Sequence, residues 1–337
     1  MQRSRYMRLL LSLVIFVVAA CAAEAGSMPS QEDRLAARNI ELSLEVPEQG
    51  FQVSTVGRFL EPGDELRTCE VVQLPGTADD VYYVGRIEAA MTDRGQDLIV
   101  SAALPKSHTE AIMDVGANVP CTRSGEAFGE ELIEVLSTQE PYLEQRFPNG
   151  VGRVLRGGQK LAVDAHFVNP TAEPAPALVK LSFHTMPAEA IQHVAHTATF
   201  QNLTIYTPPG GRSSHLAECL VGQDVVVSEL VRRTQRRGTD FTVWLAGGAR
   251  DGELLWHSKS IADPRVQLDA PLHLAAGEGL RFQCDYVNAT GVELRFGVNA
   301  GDEMCTLGAT YWPSDAADGA QQGCLLLEVD NDGVARN

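Results

Sequence analysis

Positive charge is scarce in this chain. Lys and Arg total 27 against 44 Asp and Glu, leaving a net charge of −17. A nucleic-acid backbone calls for a basic face, so nucleic acid is excluded as a partner. The same deficit disfavours electrostatic adhesion to anionic lipid, and acidity of this degree serves solubility. Long apolar runs are missing too. Leu9–Ala20 is too short to span a bilayer as a finished helix. Sustained helical periodicity is also lacking, which argues against an α-rich fold. None of the 8 histidines is adjacent to another or separated from one by a single residue. His193 and His196 have an i, i+3 spacing, but no third ligand follows in sequence and the stretch reads as a polar connector. Ser213-Ser214-His215 reads as a loop cluster without a carboxylate to complete a triad. Gly95-Gln96-Asp97 is no phosphate loop.

What is present is enough for two domains of ordinary size: 337 residues, 44% of them hydrophobic. Residues 1–25 read as an export signal, with Arg3, Arg5 and Arg8 ahead of the apolar run. The run ends in Val18-Ala19-Ala20-Cys21, a bacterial lipobox that predicts cleavage before Cys21 and a lipid on its sulfur. The competing reading is ordinary cleavage after Ala23-Glu24-Ala25. Either one takes the mature protein out of the cytoplasm, lipid-anchored in the cell envelope in the first case and soluble in the second. Residues 26–39 form a small, polar tether. Outside the cytoplasm, the other six cysteines (Cys69, Cys121, Cys219, Cys284, Cys305 and Cys324) read as disulfide-forming.

From Ile40 onward, short apolar runs alternate with turn signals. Leu42, Leu44 and Val46 alternate with polar residues as in a half-buried strand. Val81–Ile87, Leu98–Ala103, Val151–Leu155, Leu161–Phe167 and Leu178–Phe183 are further strand candidates, and Phe128–Thr138 is a candidate short helix. Pro187–Phe200 is a passage between domains. Beyond it, Leu203–Tyr206, Val225–Leu230, Phe241–Leu245, Leu254–Ser258, Leu280–Tyr286, Val292–Val298 and Cys324–Val329 are predicted strands. Strands at this spacing without long helices predict an all-β sandwich architecture.

An internal repeat predicts that the two domains are related. Gly158, Leu161, Phe167, Val168, Asn169 and Thr171 recur in register as Gly277, Leu280, Tyr286, Val287, Asn288 and Thr290, always 119 residues on (277 − 158).

The order of several motifs carries a family resemblance. Pro62-Gly63-Asp64-Glu65-Leu66-Arg67-Thr68-Cys69 is followed by Met91–Leu98, Phe147-Pro148-Asn149-Gly150, Gly158-Gln159-Lys160-Leu161 and His166. Then come Pro208-Pro209-Gly210, Cys219, Arg232–Trp244, Glu253-Leu254-Leu255-Trp256, Gly279–Tyr286 and Glu303-Met304-Cys305. This succession resembles the copper type II, ascorbate-dependent monooxygenases, the family of the peptidylglycine and dopamine β-hydroxylating enzymes. The resemblance implies two tandem jelly-roll-like antiparallel β-sandwich domains, here at 40–190 and 191–330. It also implies disulfides Cys284–Cys305 and Cys219–Cys324, leaving Cys69–Cys121 for the first domain.

In the family, one copper takes an adjacent histidine pair and a further histidine. The matching positions here are Gln96, Asp97 and His166. The other copper takes His-x-His and a methionine, and here those positions hold Arg233, Gln235 and Met304. Only His166 and Met304 keep a family ligand. Copper cycling between Cu(I) and Cu(II) wants imidazole or soft sulfur. Amides are poor substitutes, and a guanidinium brings a permanent positive charge. No cofactor is therefore expected. The chain reads as a non-catalytic binding or structural module whose ligand or protein partner is not named by its residues, and whose membrane contact is the lipid anchor. The alternatives are an active copper monooxygenase using ascorbate and O2, and a new hydrolytic or carbohydrate-directed activity in the interdomain cleft. A carboxylate group of Glu88, Asp97 and Asp164 is a further candidate on the first domain's strands.

Overall fold

The computed structural model describes residues 41–104, 107, 108, 111, 113–117, 132–259, 264–297 and 301–313, with the backbone of 325–329 and 335–336. The segments expected to be an export signal and a tether, with Cys21, Cys121 and Cys324, lie outside the described residues.

The fold is all-β. Shorter strands such as Tyr142–Arg146 add to its cores through Leu143, and sixteen of the strands make the main ladders of the two cores. In the first half these are β1 (Gly50–Ser54), β2 (Glu65–Gln73), β3 (Val81–Met91), β4 (Gly95–Ala103), β5 (Leu132–Thr138), β6 (Val151–Arg156), β7 (Lys160–Val168) and β8 (Val179–Thr185). In the second half they are β9 (His196–Gln201), β10 (Arg212–Leu220), β11 (Val225–Arg233), β12 (Gly238–Ala246), β13 (Leu254–Ser258), β14 (Arg265–Leu274), β15 (Gly279–Val287) and β16 (Thr306–Pro313).

The main strand orders are β1-β8-β3-β6 and β2-β7-β4-β5 in the first half, and β9-β16-β11-β14 and β10-β15-β12-β13 in the second; Tyr142–Arg146 also pairs with β3, His193–Val194 with β6, and Leu325–Val329 with β10, followed by Ala335–Arg336. Adding eight to each first-half strand number gives the second half. The sheets of each half meet face to face, because alternate side chains of each strand point the same way. On β7, Val163, Ala165 and Phe167 enter the first core and meet Val84, Ile87, Leu181 and Phe183 of the facing sheet. The second core joins Phe241, Phe282 and Tyr286 to Val227, Leu230 and Leu307. Burying one such large apolar side chain contributes about 1.5–3 kcal/mol. Val226 and Trp312 from the second half join the first core, so apolar packing continues across the junction.

The repeat seen in sequence recurs in detail. Asn169 and Asn288 are both buried, at 0% and 1% exposure. Asn169 Nδ2 donates to the carbonyls of Leu60, Glu61 and Glu173, and its Oδ1 accepts from Thr171 N and Oγ1. Asn288 Nδ2 donates to Thr207, Pro208 and Val292, and its Oδ1 accepts from Thr290 N and Oγ1. Gly158 and Gly277 both adopt left-handed φ, 72° and 86°, as their turns require. Bulges repeat as well. β4 shifts register against β7 between Gly95 and Asp97, and β12 shifts against β15 between Gly238 and Asp240, 143 residues on (238 − 95).

Several expectations change. Leu203–Tyr206 is strand only at Tyr206, and the passage Pro187–Phe200 carries His193–Val194 and most of β9. Leu42–Val46 is not a strand. Side chains hold it instead: Gln52 Nε2 donates to Leu44 O at 3.2 Å and Ser182 Oγ to Glu45 O at 2.8 Å. Residues 132–138 of the candidate helix Phe128–Thr138 form a strand, because pairing with β4 outweighs weak local helical pattern; 128–131 lie outside the described residues. Val292–Val298 shrinks to Leu294–Arg295, paired with Tyr206–Thr207.

The disulfide Cys284–Cys305 is present and ties β15 to the residue before β16. Cys69 and Cys219 are also disulfide-bonded. Their expected partners lie outside the described residues.

Candidate functional site at the junction of the two halves

The second-half ligand positions gather at the end of β11. Arg233 pairs in register with Thr306, two residues beyond Met304. The loop that follows is fixed from below by Glu303, at 0% exposure, whose carboxylate accepts from Gln235 N and Arg237 N, both at 2.9 Å. Burial pushes the Glu303 carboxyl up to about 7, against the pull of those backbone donors. Met304 is buried, and its carbonyl accepts from the Tyr286 hydroxyl at 2.6 Å.

Consecutive strand residues point oppositely, which separates the two arginines that end β11. Arg232 turns toward Ser258, donating to its carbonyl at 3.2 Å and its hydroxyl at 3.1 Å. Arg233 turns toward the first half, where its Nη2 meets Glu134 Oε2 of β5 at 3.2 Å. The Arg233 side chain is 2% exposed and that of Glu134 is 14%. The Nε and Nη1 donors of Arg233 meet no hydrogen-bond acceptor among the described residues. A permanent cation thus stands at a position that the resemblance assigns to an imidazole, and its charge is met by a carboxylate of the other half.

That pair belongs to a polar seam. Glu134 Oε2 also accepts from Thr199 Oγ1 at 2.9 Å. Arg153 donates to Thr197 Oγ1 at 2.6 Å and to the Glu134 carbonyl at 3.3 Å. Burial pushes the Arg153 guanidinium down to about 10, partly offset by Glu134 and Glu229. Arg265 pairs with Glu229 at 2.5 Å and donates to Ser137 O at 2.9 Å. Gln145 Nε2 donates to Glu229 Oε2 at 2.6 Å and to Thr310 Oγ1 at 3.1 Å. Gln139 Nε2 reaches Thr234 O at 2.8 Å. The cavity enclosed by Glu134, Gln145, Glu229, Arg265 and Thr310 is ≈ 10 Å³, room for about one water and not for an organic substrate.

The first-half positions lie on β2, β4 and β7. Gln96 is exposed at the bulge, while Asp97 pairs in register with His166. His166 Nε2 meets Glu65 Oε1 at 2.8 Å. Arg67 stands between Asp164, at 2.5 Å, and Asp97, at 4.0 Å. Asp97 and Asp164 thus come together, but Glu88 does not join them. It sits on the other sheet, where it accepts from Tyr142 Oη at 2.7 Å and meets His184 Nε2 at 2.5 Å. Burial works against its ionised form, but those bonds and Arg86 hold its carboxyl below the usual range.

The other candidates disperse. Ser213-Ser214-His215 is not a loop but part of β10. Alternation puts His215 Nε2 3.0 Å from Ser213 Oγ and turns Ser214 toward Asp285. The same His215 nitrogen faces the Tyr206 carbonyl at 3.2 Å. His193 stacks near Trp312, and His196 lies tilted against Tyr311. Burial, with Arg153 nearby, holds the His196 imidazole below its usual range. Among the described residues, no three His, Cys, Asp or Glu side chains converge on a metal position. The residues at the positions that the resemblance assigns to copper do not suit it, since Arg233 is a buried cation paired with Glu134.

Sequence reading missed Glu134, Arg153, Glu229 and Arg265. A signal existed, because Glu229 interrupts the apolar run Val225–Val231 and Glu134 sits between Ile133 and Val135. A charge inside a buried strand needs a partner.

No protein-family model and no curated protein matches this chain. Among solved structures it is similar to PNGF-II, at 8% identity and TM-score 0.29, over 75% of this chain and 60% of that one. It is similar to the major capsid protein P2 from bacteriophage PM2 at 9% identity and TM-score 0.25, over 76% of this chain and 100% of that one. The 11S globulin from Wrightia tinctoria follows at 8% identity and TM-score 0.20, over 81% and 76%. No helix among the described residues is long and apolar enough to cross a membrane.

Proposed function

We propose that this chain is an exported, lipid-anchored, non-catalytic binding or structural module, made of two tandem jelly-roll-like sandwiches of the copper monooxygenase type with a disabled copper centre. The observation that carries this reading is the buried Arg233–Glu134 pair at a former imidazole position. Removing the first-domain pair as well, through Gln96 and Asp97, leaves His166 and Met304 as lone ligands. A lone ligand does not hold copper against competitors.

The strand orders support the jelly-roll connectivity. Four antiparallel sheets could also be arranged as a four-bladed propeller, but propeller blades are built from neighbouring strands. Here β1 lies beside β8 and β2 beside β7, so each sheet draws on both ends of its half. The repeated Asn169 and Asn288 turns support duplication of one such unit.

Metal analysis tests the function. After exposure to copper and dialysis, the purified protein is expected to hold less than one copper per chain and to show no ascorbate-dependent oxygen uptake. Two tightly held coppers, or ascorbate oxidation coupled to a hydroxylated product, would restore the monooxygenase reading. Arg233→His with Gln235→His should return copper binding to the second half, with Met304 as third ligand. For the anchor, Cys21→Ser should release the protein from membranes, and an unlipidated mature chain beginning at Gly26 would refute lipidation.

A further inference from the structure

The two cores are filled differently at matching positions. In the first half, three aromatic rings cluster at the core. The Phe51 ring of β1 lies 4.6 Å from that of Tyr82 on β3 and 5.1 Å from that of Phe183 on β8, centroid to centroid. Strand pairing identifies their counterparts in the second half. Phe51 faces Phe183, and Ala198 of β9 faces Ala309 of β16. On the other side, Phe183 faces Ile87, and Ala309 faces Leu230. Tyr82 faces Leu155 of β6, and Val225 of β11 faces Leu274 of β14. The bulges agree too: beyond them Thr185 faces Val84, and Tyr311 faces Val227. Two alanines and a valine therefore stand where the first half has three rings.

Two rings are gained nearby. Phe200 stands where the first half has Val53, and Tyr311 where it has Thr185. Three rings against two leaves the place of one ring unfilled. A cavity of ≈ 30 Å³ lies there between the two sheets, lined by Ala198, Val225 and Ala309 together with Phe200, Leu280 and Tyr311. The rest of the lining is apolar as well. By volume it has room for about two or three waters, but each water needs 2–4 polar partners. An apolar cavity of this kind stays dry and takes a hydrocarbon instead.

The cavity can be reached from outside. Ala198, Leu220 and Val221 of its lining are partly exposed, at the edge of the second sandwich. Val225 begins β11 and Arg233 ends it, so the cavity and the Arg233–Glu134 pair lie at opposite ends of that strand.

We infer that the second half holds a binding site for one small hydrocarbon ring without polar substituents, seated in the place that the rings of Phe51, Tyr82 and Phe183 fill in the first half. The site depends neither on a lipid at Cys21 nor on the copper positions, so its failure would leave those readings untouched.

Calorimetric titration of the full purified chain with benzene tests this. The parent should bind about one benzene per chain, saturably, and should melt at a higher temperature with benzene present, because a ligand held by the folded state alone stabilises it. Ala309→Phe restores the ring that Phe183 supplies in the first half. It should weaken benzene binding by about tenfold or more, with the fold intact by circular dichroism. Ala198→Phe restores the ring of Phe51 and serves as the filled variant if Ala309→Phe does not fold. Leu254→Phe, at an exposed position outside the lining, should leave the affinity unchanged. No saturable binding by the parent overturns the site, and so does a loss of less than about tenfold in a folded, filled variant.

Discussion

Truncating Glu134 to alanine removes the partner of a guanidinium that is 2% exposed. Arg233 has two further donors without an acceptor among the described residues, so no second carboxylate stands ready to take over. Breaking a buried pair on one side costs about 3–5 kcal/mol, because the remaining charge stays buried and uncompensated. Removing both charges is far milder, since a buried pair barely recovers its own desolvation. Glu134→Ala should therefore lose about 3–5 kcal/mol, which is roughly 4–7 °C in melting temperature for a cooperative chain of 337 residues. Arg233→Met with Glu134→Leu should lose less than either single change, giving a large coupling in a double-mutant cycle. Calorimetry is the assay. Because the pair spans the junction, Glu134→Ala should also split unfolding into two transitions. Small and additive effects, within about 1 kcal/mol as for exposed pairs, would refute the reading of Arg233 and Glu134 as a buried, interdependent pair.

Glu70 sets a pH dependence. Burial pushes its carboxyl up to about 7 from 4.5, opposed by Val56 N at 2.6 Å and by Arg58. The folded state then binds the proton more tightly than the unfolded state. The contribution of Glu70 to stability is full below pH 4.5 and falls by about 3 kcal/mol as pH rises to 7; Glu70→Gln should remove that loss, seen as urea midpoints that differ less between pH 5 and pH 7.5. Asn169→Ala and Asn288→Ala should cost similar amounts, about 2–4 kcal/mol each by loss of buried hydrogen bonds, and costs differing by more than twofold in urea denaturation would tell against equivalent turns. Replacing Cys284 and Cys305 by serine opens a bond across a sequence separation of 21, so the chemical-denaturation midpoint should fall by the equivalent of about 3 kcal/mol.

Local chemistry determined much of this protein. Alternating apolar residues fixed most of the strands, because one face of each must be buried whatever lies opposite. The Asn-x-Thr turn and the glycines before β7 and β15 specified the same geometry twice, because a buried asparagine and a left-handed glycine admit few alternatives. The unsuitability of Arg233, Gln235, Gln96 and Asp97 as copper ligands was likewise legible residue by residue. Other features were settled only in three dimensions. Residues 132–138 became a strand through pairing with β4, an energy that no local pattern contains. Ser213 and His215 met because β10 alternates, and Glu88 parted from Asp97 and Asp164 because it lies on the opposing sheet. The junction depends most on tertiary structure. Glu134 and Arg233 are 99 residues apart in sequence, and a carboxylate in one strand does not reveal which distant cation will neutralise it. Only the packing of the two halves removes water from both charges and makes their pairing decisive.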